Sequence, residues 1–496
     1  MLERGDVDVR KGRLALVNRT LTQHQAMVAD LLAIRAVLDA YAIEYLLVRG
    51  NDERPVLAID RAYRHALKNA LVQAFATEPF YARSMDTGKT TALVADGELS
   101  ASKKTRILRL FRPRVEPDGG LFFGASAGIQ IELWTFGKGR IGLPLENSVT
   151  RRSISAAEAL RGTVEMHGKS WPTIENMFAE HAFDVRFTVD MVFTWVDGSS
   201  QAYQAARREQ EAGAVLGVGD DHESRFRQID ELKYALRSIY MFAPWIRTIY
   251  IATDSPAPSW LAEHPRVKIV RSSEHFADPS VLPTHNSMAV ESQLHHIQDL
   301  AEHYLYSNDD MFFGRPLSQD MFFTPGGITR FMLSPNRIGL GESSAERSGF
   351  ENSARVNRRL LWDRFGRFAT RHLEHSAAPF RKSVMAELEH EFPEEFAATA
   401  ASRFRAAGNI SVTNSLYHYY ALLTGRAVMH DDGTGIYVDT TSAKGLASLP
   451  KLLASRNADF LCLNDGSFPE VDAEERRERV IDFLEKYFPI KAPWEK

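Results

Sequence analysis

The sequence predicts a protein of the α/β class, in which a separate α+β domain precedes a mostly parallel sheet with helical additions. From about residue 185, apolar runs typical of buried strands alternate with helical patterns, and this alternation predicts parallel strands joined by right-handed crossovers. Residues 21–180 mix short strand and helix patterns, which predicts an accessory α+β domain of unknown role. Residues 1–20 carry charges of both signs and are expected to form a flexible lead-in, so the main domain spans 185–496.

The accessory domain opens with a clear helix signal. Thr22 and Gln25 have the spacing of a capping box, in which each side chain accepts a hydrogen bond from the other residue's backbone N–H. Apolar residues then recur at helical spacing, which predicts a helix over 23–41. Further along, apolar and polar residues alternate over 128–134, which predicts a half-buried strand.

The main domain shows apolar runs that predict strands and amphipathic segments that predict helices. Strands are expected at 187–196, 248–252, 267–270, 304–307 and 460–463, and helices at 287–302, 377–391, 412–424 and 472–487. Residues 334–357 are rich in Ser, Gly, Asn and Arg, and we expect them to form a loop or lid.

Composition excludes several classes of protein. The chain has 60 Lys and Arg against 64 Asp and Glu, so no positive excess indicates nucleic-acid binding. A hydrophobic content of 44% excludes a mainly disordered chain. The single cysteine, Cys462, excludes a disulfide scaffold and a Cys-based zinc site. No apolar run approaches the ~20 residues needed to span a bilayer. We therefore expect a cytoplasmic protein, at most attached to the inner face of a membrane through an assembly partner.

The most informative polar motif is Asn308-Asp309-Asp310, which follows the predicted strand YLYS. Adjacent carboxylates at a strand end are costly unless a positive group binds beside them. Mg²⁺ is a natural partner, since it prefers one or two carboxylates together with phosphate oxygens and water. The layout resembles the Asp-x-Asp site of GT-A folds that use sugar nucleotides. The alternative is a turn or helix cap with solvated acids.

A second polar motif, TWVDGS, follows the first predicted strand of the main domain. Trp195 can stack on a base, and Gly198 lets the backbone approach a phosphate closely. In parallel sheets, ligands bind at the carboxyl ends of strands, so this motif and Asp309-Asp310 are expected at one edge. The alternative is a buried core Trp followed by an ordinary turn at Asp197.

Three further residues have side chains suited to phosphate chemistry. His375 lies in a turn-like stretch, and a histidine near its ~6.5 reference pKa accepts a proton at neutral pH. Arg237 and Arg405 have the guanidinium group that binds phosphate bidentately. The alternatives are a hydrogen-bonded structural histidine and surface ion pairs.

Together these motifs resemble, in order, the four conserved regions of the Stealth family. The first is DMVFTWVDGSS. The second is DELKYALRSIYMFAPWIRTIYIATDSPAPSWL with LPTHNSMAVESQLHHI and YLYSNDDMFFG. The third is HSAAPFRKSVMAELEHEFPEEF with Arg405 and NSLYHYYAL. The fourth is FLCLNDG with YFPIKAPWEK. The resemblance covers about 190–496 and implies a GT-A/Rossmann-like fold.

Membership of this family would imply a sugar-phosphate transferase of capsule or exopolysaccharide synthesis. Such an enzyme uses a hydroxyl of a saccharide or growing polysaccharide to attack the β-phosphorus of a UDP-sugar, and UMP leaves. Two alternatives stay open. One is a GT-A glycosyltransferase that releases UDP, and the other is a non-catalytic subunit that binds sugar nucleotides.

The resemblance also assigns roles residue by residue. Asp309 and Asp310 match the acidic pair, which implies that they hold Mg²⁺ or Mn²⁺. His375 matches the first histidine of the third region and is our expected general base, with Asp310 as its rival. Arg237 and Arg405 are expected to offset charge on the phosphoryl group. The expected substrate-binding residues are Trp195, Asp197, Gly198, Glu291, His295, Asn464 and Asp465. Ser376, Ala377 and Ala378 depart from the most frequent form of the third region.

Overall fold

The computed structural model describes residues 1, 3–10, 12–100, 102–211, 229–466 and 469–496. The chain divides into two compact units, Met1–His181 (unit 1) and Ala182–Lys496 (unit 2). Each unit has its own sheets and apolar core.

Unit 1 is built from two helices and several short strands. The helices are α1 (Gln23–Ala40) and α2 (Arg64–Ala74). The strands are β1 (Val7–Arg10), β2 (Arg13–Val17), β3 (Tyr45–Arg49), β4 (Pro55–Asp60), β5 (Tyr81–Ser84), β6 (Thr91–Leu93), β7 (Ile107–Phe111), β8 (Arg114–Val115), β9 (Phe122–Phe123), β10 (Ile129–Phe136), β11 (Arg140–Gly142), β12 (Ser153–Ser155), β13 (Arg161–Met166) and β14 (Lys169–Ile174).

The main sheet of unit 1 has the strand order β12-β11-β10-β7-β5-β6, and β4 and β3 extend it from β10. Ile129, Ile131 and Leu133 of β10 are fully buried and belong to the same core as apolar residues of α1 and α2. The alternate residues of β10, Gln130 and Glu132, therefore lie on the opposite face of the sheet.

Two expectations for the start of the chain have different outcomes. The capping box of Thr22 and Gln25 is present and opens α1, as predicted. The expected flexible lead-in is instead a hairpin, because β1 pairs antiparallel with β2. Leu16 and Val17 of this hairpin then pair with β8, so backbone hydrogen bonds fix the segment.

Unit 2 alternates strands and helices along most of its length. The strands are β15 (Val189–Thr194), β16 (Ile249–Ala252), β17 (Val267–Val270), β18 (His303–Asn308), β19 (Met311–Phe313), β20 (Thr329–Phe331), β21 (Leu333–Arg337), β22 (Arg371–Leu373), β23 (Ala378–Arg381), β24 (Ala427–Met429), β25 (Gly435–Asp439) and β26 (Phe460–Asn464). The helices are α3 (Gln201–Glu211), α4 (Glu231–Phe242), α5 (Ser272–His275), α6 (Ser287–Gln293), α7 (Gly349–Phe365), α8 (Lys382–Glu391), α9 (Pro393–Ala401), α10 (Tyr417–Leu423), α11 (Ala443–Ser455) and α12 (Ala473–Tyr487).

The central sheet of unit 2 has the order β17-β16-β15-β18-β23. The first four strands are parallel, and β23 pairs antiparallel with β18. The mostly parallel α/β sheet predicted from the sequence is thus confirmed. Met191, Val192 and Phe193 of β15 are all buried, as expected for a strand covered on both faces.

A smaller sheet joins the end of the chain to the central sheet. Its order is β19-β26-β25, with β19 antiparallel and β25 parallel to β26. Because β19 follows β18 after only two residues, this sheet brings the C-terminal strand β26 beside the end of β18.

Two element predictions in unit 2 are corrected. The polar segment 334–357, expected to form a loop or lid, consists of the end of β21, a connection and the first half of α7. Several of its polar residues, such as Asn352 and Asn357, are buried and hydrogen-bonded; Asn357 donates to the carbonyl of Ser411 at 2.8 Å. The helix expected from residue 377 begins only at Lys382, because the preceding residues pair with β18 as β23.

Among the residues described, we find no helix that is both long enough and apolar enough to cross a bilayer.

Candidate active site

The candidate site lies at the carboxyl ends of the central strands of unit 2. Thr194, the last residue of β15, pairs in register with Ala252 of β16 and Asn308 of β18. The segments that follow these three strands therefore start at one edge of the sheet, where ligands bind in folds of this type. The backbone N–H of Asp197 donates to Ser255 Oγ at 2.9 Å, which joins the first two segments.

Asp310 contacts the FLCLNDG motif through the small sheet, in which β26 lies beside β19. The backbone N–H of Leu463 donates to the carbonyl oxygen of Asp310 at 3.0 Å. Asn464 Nδ2 donates to Asp310 Oδ2 at 3.3 Å, and Cys462 Sγ lies 3.7 Å from the same oxygen. Burial raises the pKa of the Cys462 thiol well above its usual value, so the thiol stays protonated and donates. The other carboxylate oxygen, Asp310 Oδ1, is buried without a hydrogen-bond partner in the described part of the chain.

Asp309 and Asp310 belong to a larger group of carboxylates, which we call the acid cluster: Asp309, Asp310, Asp465 and Glu231. Burial raises the pKa of Asp309 well above its usual value, and the charges of Glu231, Asp310 and Asp465 raise it further. Burial also raises the pKa of Asp310, while the Asn464 amide and the nearby His375 oppose that rise. The pKa of Glu231 is raised to about 7, mainly by burial.

One arginine partly offsets the charge of the acid cluster. Arg476 donates to Asp465 Oδ1 through Nη2 and to Thr440 Oγ1 through Nε at 2.9 Å. Thr440 Oγ1 in turn donates to Asp465 Oδ1 at 3.1 Å. Four carboxyl groups beside one guanidinium leave acids without a basic partner, and Asp310 Oδ1 has no hydrogen-bond partner among the described residues. Both observations fit a site that takes a cation together with its ligands.

His375 lies beside the acid cluster. It sits in the connection between β22 and β23, and β23 runs antiparallel to β18 with Ala378 opposite Tyr306. The His375 ring packs against Tyr437 with ring centroids 5.0 Å apart. The Tyr437 hydroxyl donates to Asn464 Oδ1 at 3.0 Å. The structure thus brings His375 and Asp310 to the same place, as the sequence predicted.

A second polar group adjoins the cluster through Tyr306 of β18. The hydroxyl of Tyr306 donates to Asn308 Oδ1 at 2.8 Å and also hydrogen-bonds Glu291. Burial raises the pKa of Glu291, while hydrogen bonds from Thr413 and the charge of Arg405 oppose that rise. Glu291 and Arg405 therefore occupy one polar network that reaches Asn308, the residue before Asp309.

Thr413, which sequence reasoning missed, is placed by an irregular helix start. Residues Val412–Leu416 form a π-helical turn that leads into α10, and such turns are frequent at functional sites. The Thr413 hydroxyl donates to Glu291 Oε2. Arg405 Nη2 donates to Ser287 Oγ at 3.0 Å, on the same helix as Glu291.

The loop after β15 contains Trp195, Asp197 and Gly198, three of the expected substrate-binding residues. Trp195 is half-buried, and its backbone N–H donates to the carbonyl of Ala252 at 3.1 Å. Asp197 Oδ1 accepts hydrogen bonds from the backbone and hydroxyl of Ser199 at 3.2 and 2.7 Å. The carbonyl of Gly198 accepts from Gln204 Nε2 at 3.0 Å.

Arg237 does not belong to the site, which corrects its expected role at the phosphoryl group. Its guanidinium is 2% exposed and donates to Glu495 at 2.8 Å and to Glu485 at 2.8 Å. Arg237 Nη1 also donates to the carbonyl of Phe488 at 3.0 Å. Two carboxylates and a carbonyl surround the guanidinium, so it joins α4 to the C-terminal segment rather than binding phosphate.

His295 is also placed outside the acid cluster. Its Nε2 and that of His296 each lie 2.8 Å from Glu389 Oε2, on helix α8. In the described parts of the chain, these three residues form a group whose ligand atoms all lie within 4.8 Å of one another. Although His295 lies one turn from Glu291 in sequence, its side chain pairs with Glu389 of α8 and not with Asp309 or Asp310.

Sequence reasoning missed Glu231, Tyr437 and Arg476. Asp230, which directly precedes α4, makes no capping hydrogen bond with its side chain, and its φ is 60°. Glu231 instead turns back and accepts from the backbone N–H of Ile229 at 3.0 Å. The sequence pattern did not single out Tyr437 or Arg476; the sheet pairing and the packing of α12 reveal them.

Models of the Stealth conserved regions match this chain in family order. Region 1 matches residues 187–213, region 2 matches 225–331, region 3 matches 374–422 and region 4 matches 450–496. A protein of Mycobacterium tuberculosis named exopolysaccharide phosphotransferase CpsY is 57% identical over 98% of this chain and 92% of its own length. The chain belongs to the Stealth family.

A second curated relative agrees with this membership. A protein of Nocardia farcinica named exopolysaccharide phosphotransferase is 49% identical over 99% of this chain and 91% of its own length. Among solved structures, galactosyltransferase LgtC in complex with donor and acceptor sugar analogs covers 60% of this chain and 95% of its own, with 9% identity and a TM-score of 0.32. At that TM-score the likeness supports no argument about this chain.

Proposed function

We propose that this chain transfers a sugar 1-phosphate from a UDP-sugar to a saccharide hydroxyl in capsule or exopolysaccharide synthesis. Membership of the Stealth family and the names of its relatives support phosphotransfer in exopolysaccharide synthesis. One structural observation carries the proposal. Asp310, Asn464 and His375 come from three separate conserved regions and meet in one acidic site at the carboxyl edge of a parallel sheet.

The proposed reaction is a displacement at phosphorus. The acceptor hydroxyl oxygen forms a bond to the β-phosphorus of the UDP-sugar, and the bond from that phosphorus to the bridging oxygen breaks. The products are a phosphodiester between the donor sugar and the acceptor, and UMP. The hydroxyl proton passes to a base on the protein. Such reactions depend mainly on positioning and on neutralising charge.

The acid cluster would hold Mg²⁺, or Mn²⁺, through Asp309 and Asp310. The unpartnered Asp310 Oδ1 and the excess of carboxylates fit this role. Mg²⁺ typically takes one or two carboxylates and completes its shell with phosphate oxygens and water. A bound ion would neutralise charge on the diphosphate of the donor.

The remaining residues of the site would position the two substrates. Trp195, Asp197 and Gly198 would contact the nucleotide, from a loop at the same edge of the sheet. Arg405, with Glu291 beside it, would offset negative charge on the transferred phosphoryl group. Of Arg237 and Arg405, only Arg405 would take this role, because Arg237 is enclosed by carboxylates.

His375 is the proposed general base, with Asp310 as its rival. His375 packs on Tyr437 beside the acid cluster, close enough to Asp310 to influence the pKa of that carboxyl. A carboxylate that binds a cation is a weak base, which favours the histidine. Asn464 and Asp465 would fix the orientation of Asp310 and of Arg476, respectively.

The coproduct tests this proposal. The full chain is incubated with a panel of UDP-sugars, Mg²⁺ and a polysaccharide acceptor, and nucleotides are separated by chromatography. We expect UMP, formed only when acceptor is present. Release of UDP with a direct glycosidic linkage would instead assign a glycosyltransferase. Binding of UDP-sugars without turnover of any donor would assign a binding subunit.

A further inference from the structure

A group of arginines in unit 1 lies on the face of its main sheet opposite the core that includes residues of α1 and α2. Arg83 of β5 pairs directly with Arg109 of β7, which pairs with Gln130 of β10. Val56 of β4 pairs with Gln130 on its other side. Arg54 lies two residues before Val56 in the chain. Leu108 and Leu110, the neighbours of Arg109 in β7, point into the core, so Arg109 lies on the other face. We call Arg54, Arg83 and Arg109 the arginine cluster.

The arginine cluster lacks acceptors for its buried donors. The Nε atom of each arginine is buried and has no hydrogen-bond partner within the described residues. For Arg83 and Arg109, no hydrogen bond or ion pair to any other described residue is present. A buried donor without an acceptor costs about 1–3 kcal/mol. The fold thus holds donors that only an additional acceptor would satisfy.

The charges of the arginine cluster are also incompletely balanced. Burial lowers the pKa of Arg109, and the positive charges of Arg54 and Arg83 lower it further, while Asp52 opposes them. Asp52 Oδ2 lies 3.3 Å from Arg54 Nη1, and its side chain is 57% exposed. Arg54 and Arg109 therefore both depend on the exposed carboxylate of Asp52.

Glu132, a buried acid on this face, does not supply the missing counter-charge. Glu132 accepts hydrogen bonds from Gln130 Nε2 at 2.8 Å and from Trp134 Nε1 at 2.9 Å. Burial raises the pKa of Glu132, and the arginine whose charge opposes this rise is Arg106, which lies outside the cluster. The carboxylate of Glu132 is thus engaged along its own strand.

We propose that the arginine cluster binds a phosphate ester of the saccharide substrate. Guanidinium groups match phosphate oxygens bidentately, and adjacent strands here present two of them side by side. The identity of the ligand as a saccharide rests on the proposed function, because phosphotransfer onto a growing polymer yields phosphodiesters. Binding of the phosphate group itself does not rest on that function.

The first test measures phosphate binding to the full chain by isothermal titration with inorganic phosphate. We expect Arg83→Gln and Arg109→Gln each to weaken binding at least tenfold. The control Arg19→Gln removes an arginine whose side chain is 61% exposed, from the same unit, and should bind like the wild type. Arg405→Gln, which alters the proposed active site instead, should not reproduce this tenfold loss. Equal affinity in Arg83→Gln, Arg109→Gln and the wild type would overturn the proposal.

Thermal unfolding gives a second readout that a structural role would not produce. In phosphate-free buffer, Arg109→Gln should unfold at the same temperature as the wild type or higher, because it removes like-charge repulsion and an unsatisfied donor. Added phosphate should raise the wild-type midpoint and not that of Arg109→Gln. A large loss of stability in Arg109→Gln, with the response to phosphate retained, would show that the arginine only supports the fold.

The source of the phosphate group is tested separately. An oligosaccharide carrying a phosphodiester should bind the wild type at least tenfold more tightly than the same oligosaccharide without phosphate. This difference should vanish in Arg83→Gln. Sedimentation of the chain with vesicles rich in phosphatidylglycerol, lost in Arg83→Gln and without any oligosaccharide binding, would overturn the saccharide assignment. Because no arm needs turnover, failure here is distinct from failure to form UMP.

Discussion

Asp190 and Asp310 are two carboxylates from opposite ends of the central sheet of unit 2, and their surroundings differ. Asp190, at the start of β15, is fully buried and accepts from Arg247 Nε at 2.9 Å and from the backbone N–H groups of Thr248 and Ala301 at 3.1 and 2.8 Å. Asp310, after β18, accepts from an amide and a thiol on one oxygen and from nothing described on the other. At the amino edge of the sheet, groups of the protein itself pair with the carboxylate of Asp190. At the carboxyl edge, one oxygen of Asp310 has no partner among the described residues and is available to a ligand.

The sharpest way to test this contrast is Asp310→Asn. We expect the rate of UMP release to fall about 10²–10³-fold or more, because the metal-binding charge is lost. Stability in the absence of metal should stay the same or rise, since a like charge leaves the acid cluster. Thermal unfolding and the coproduct assay measure both effects. Retained turnover with a loss of stability would make Asp310 a structural residue like Asp190.

Arg237 and Arg405, for which the sequence predicts the same role, show the same contrast between a structural and a functional charge. Arg237→Met should destabilise the chain by about 3–5 kcal/mol, because it leaves Glu495 buried and unpaired. Arg405→Gln should instead lower kcat about 10–100-fold while the unfolding midpoint changes little. Denaturant unfolding and steady-state kinetics separate the two outcomes. A stable Arg237→Met with a specific loss of kcat would restore Arg237 to the site.

Asp190→Ala tests the structural member of the pair. Its removal leaves the backbone N–H groups of Thr248 and Ala301 without acceptors and Arg247 without its carboxylate partner, so we expect a loss of about 3 kcal/mol in the free energy of unfolding. Turnover per folded molecule should be unchanged. A fall in kcat without a fall in stability would contradict the assignment.

The smallest expected effect is the pH dependence of stability. The pKa of Glu231 rises from 4.5 to about 7 on folding, so the folded chain holds a proton that the unfolded chain releases in this range. This group therefore makes the metal-free chain less stable as pH rises from about 4.5 to 7. We expect the unfolding midpoint of Glu231→Gln to exceed that of the wild type by about 2–4 °C at pH 7.5 and by less at pH 5. Mg²⁺ should reduce the difference at pH 7.5. A constant difference across pH would mean that Glu231 does not titrate in this range.

The sequence predicted helices and strands well where the signal lies within a short stretch of the chain. The capping box set the start of α1 at Gln23, and the apolar run predicted β15 within a few residues. The predicted convergence of Asp309, Asp310 and His375 also agrees with the geometry, because strand order fixes which ends meet.

The errors arose where partners lie far apart in sequence. The carboxylates that enclose Arg237 are 248 and 258 residues away, so nothing near it in the chain indicates its burial. His295 has the spacing of a motif residue, but its partner Glu389 is 94 residues away. Polarity predicted a lid at 334–357, whereas buried residues such as Asn352 satisfy their amides within α7 and the loop before it. Glu231 was missed because its role depends on the distant Asp465 and Arg476.

The most direct test of the central claim is pulsed EPR of Mn²⁺ bound to the full chain with UDP. The account predicts ³¹P hyperfine coupling in the wild type and in the control Asp482→Asn, whose side chain is 62% exposed. The coupling should disappear in Asp310→Ala. A spectrum with ¹⁴N coupling but no ³¹P coupling, unchanged by Asp310→Ala, would place the ion at His295, His296 and Glu389 and contradict the account.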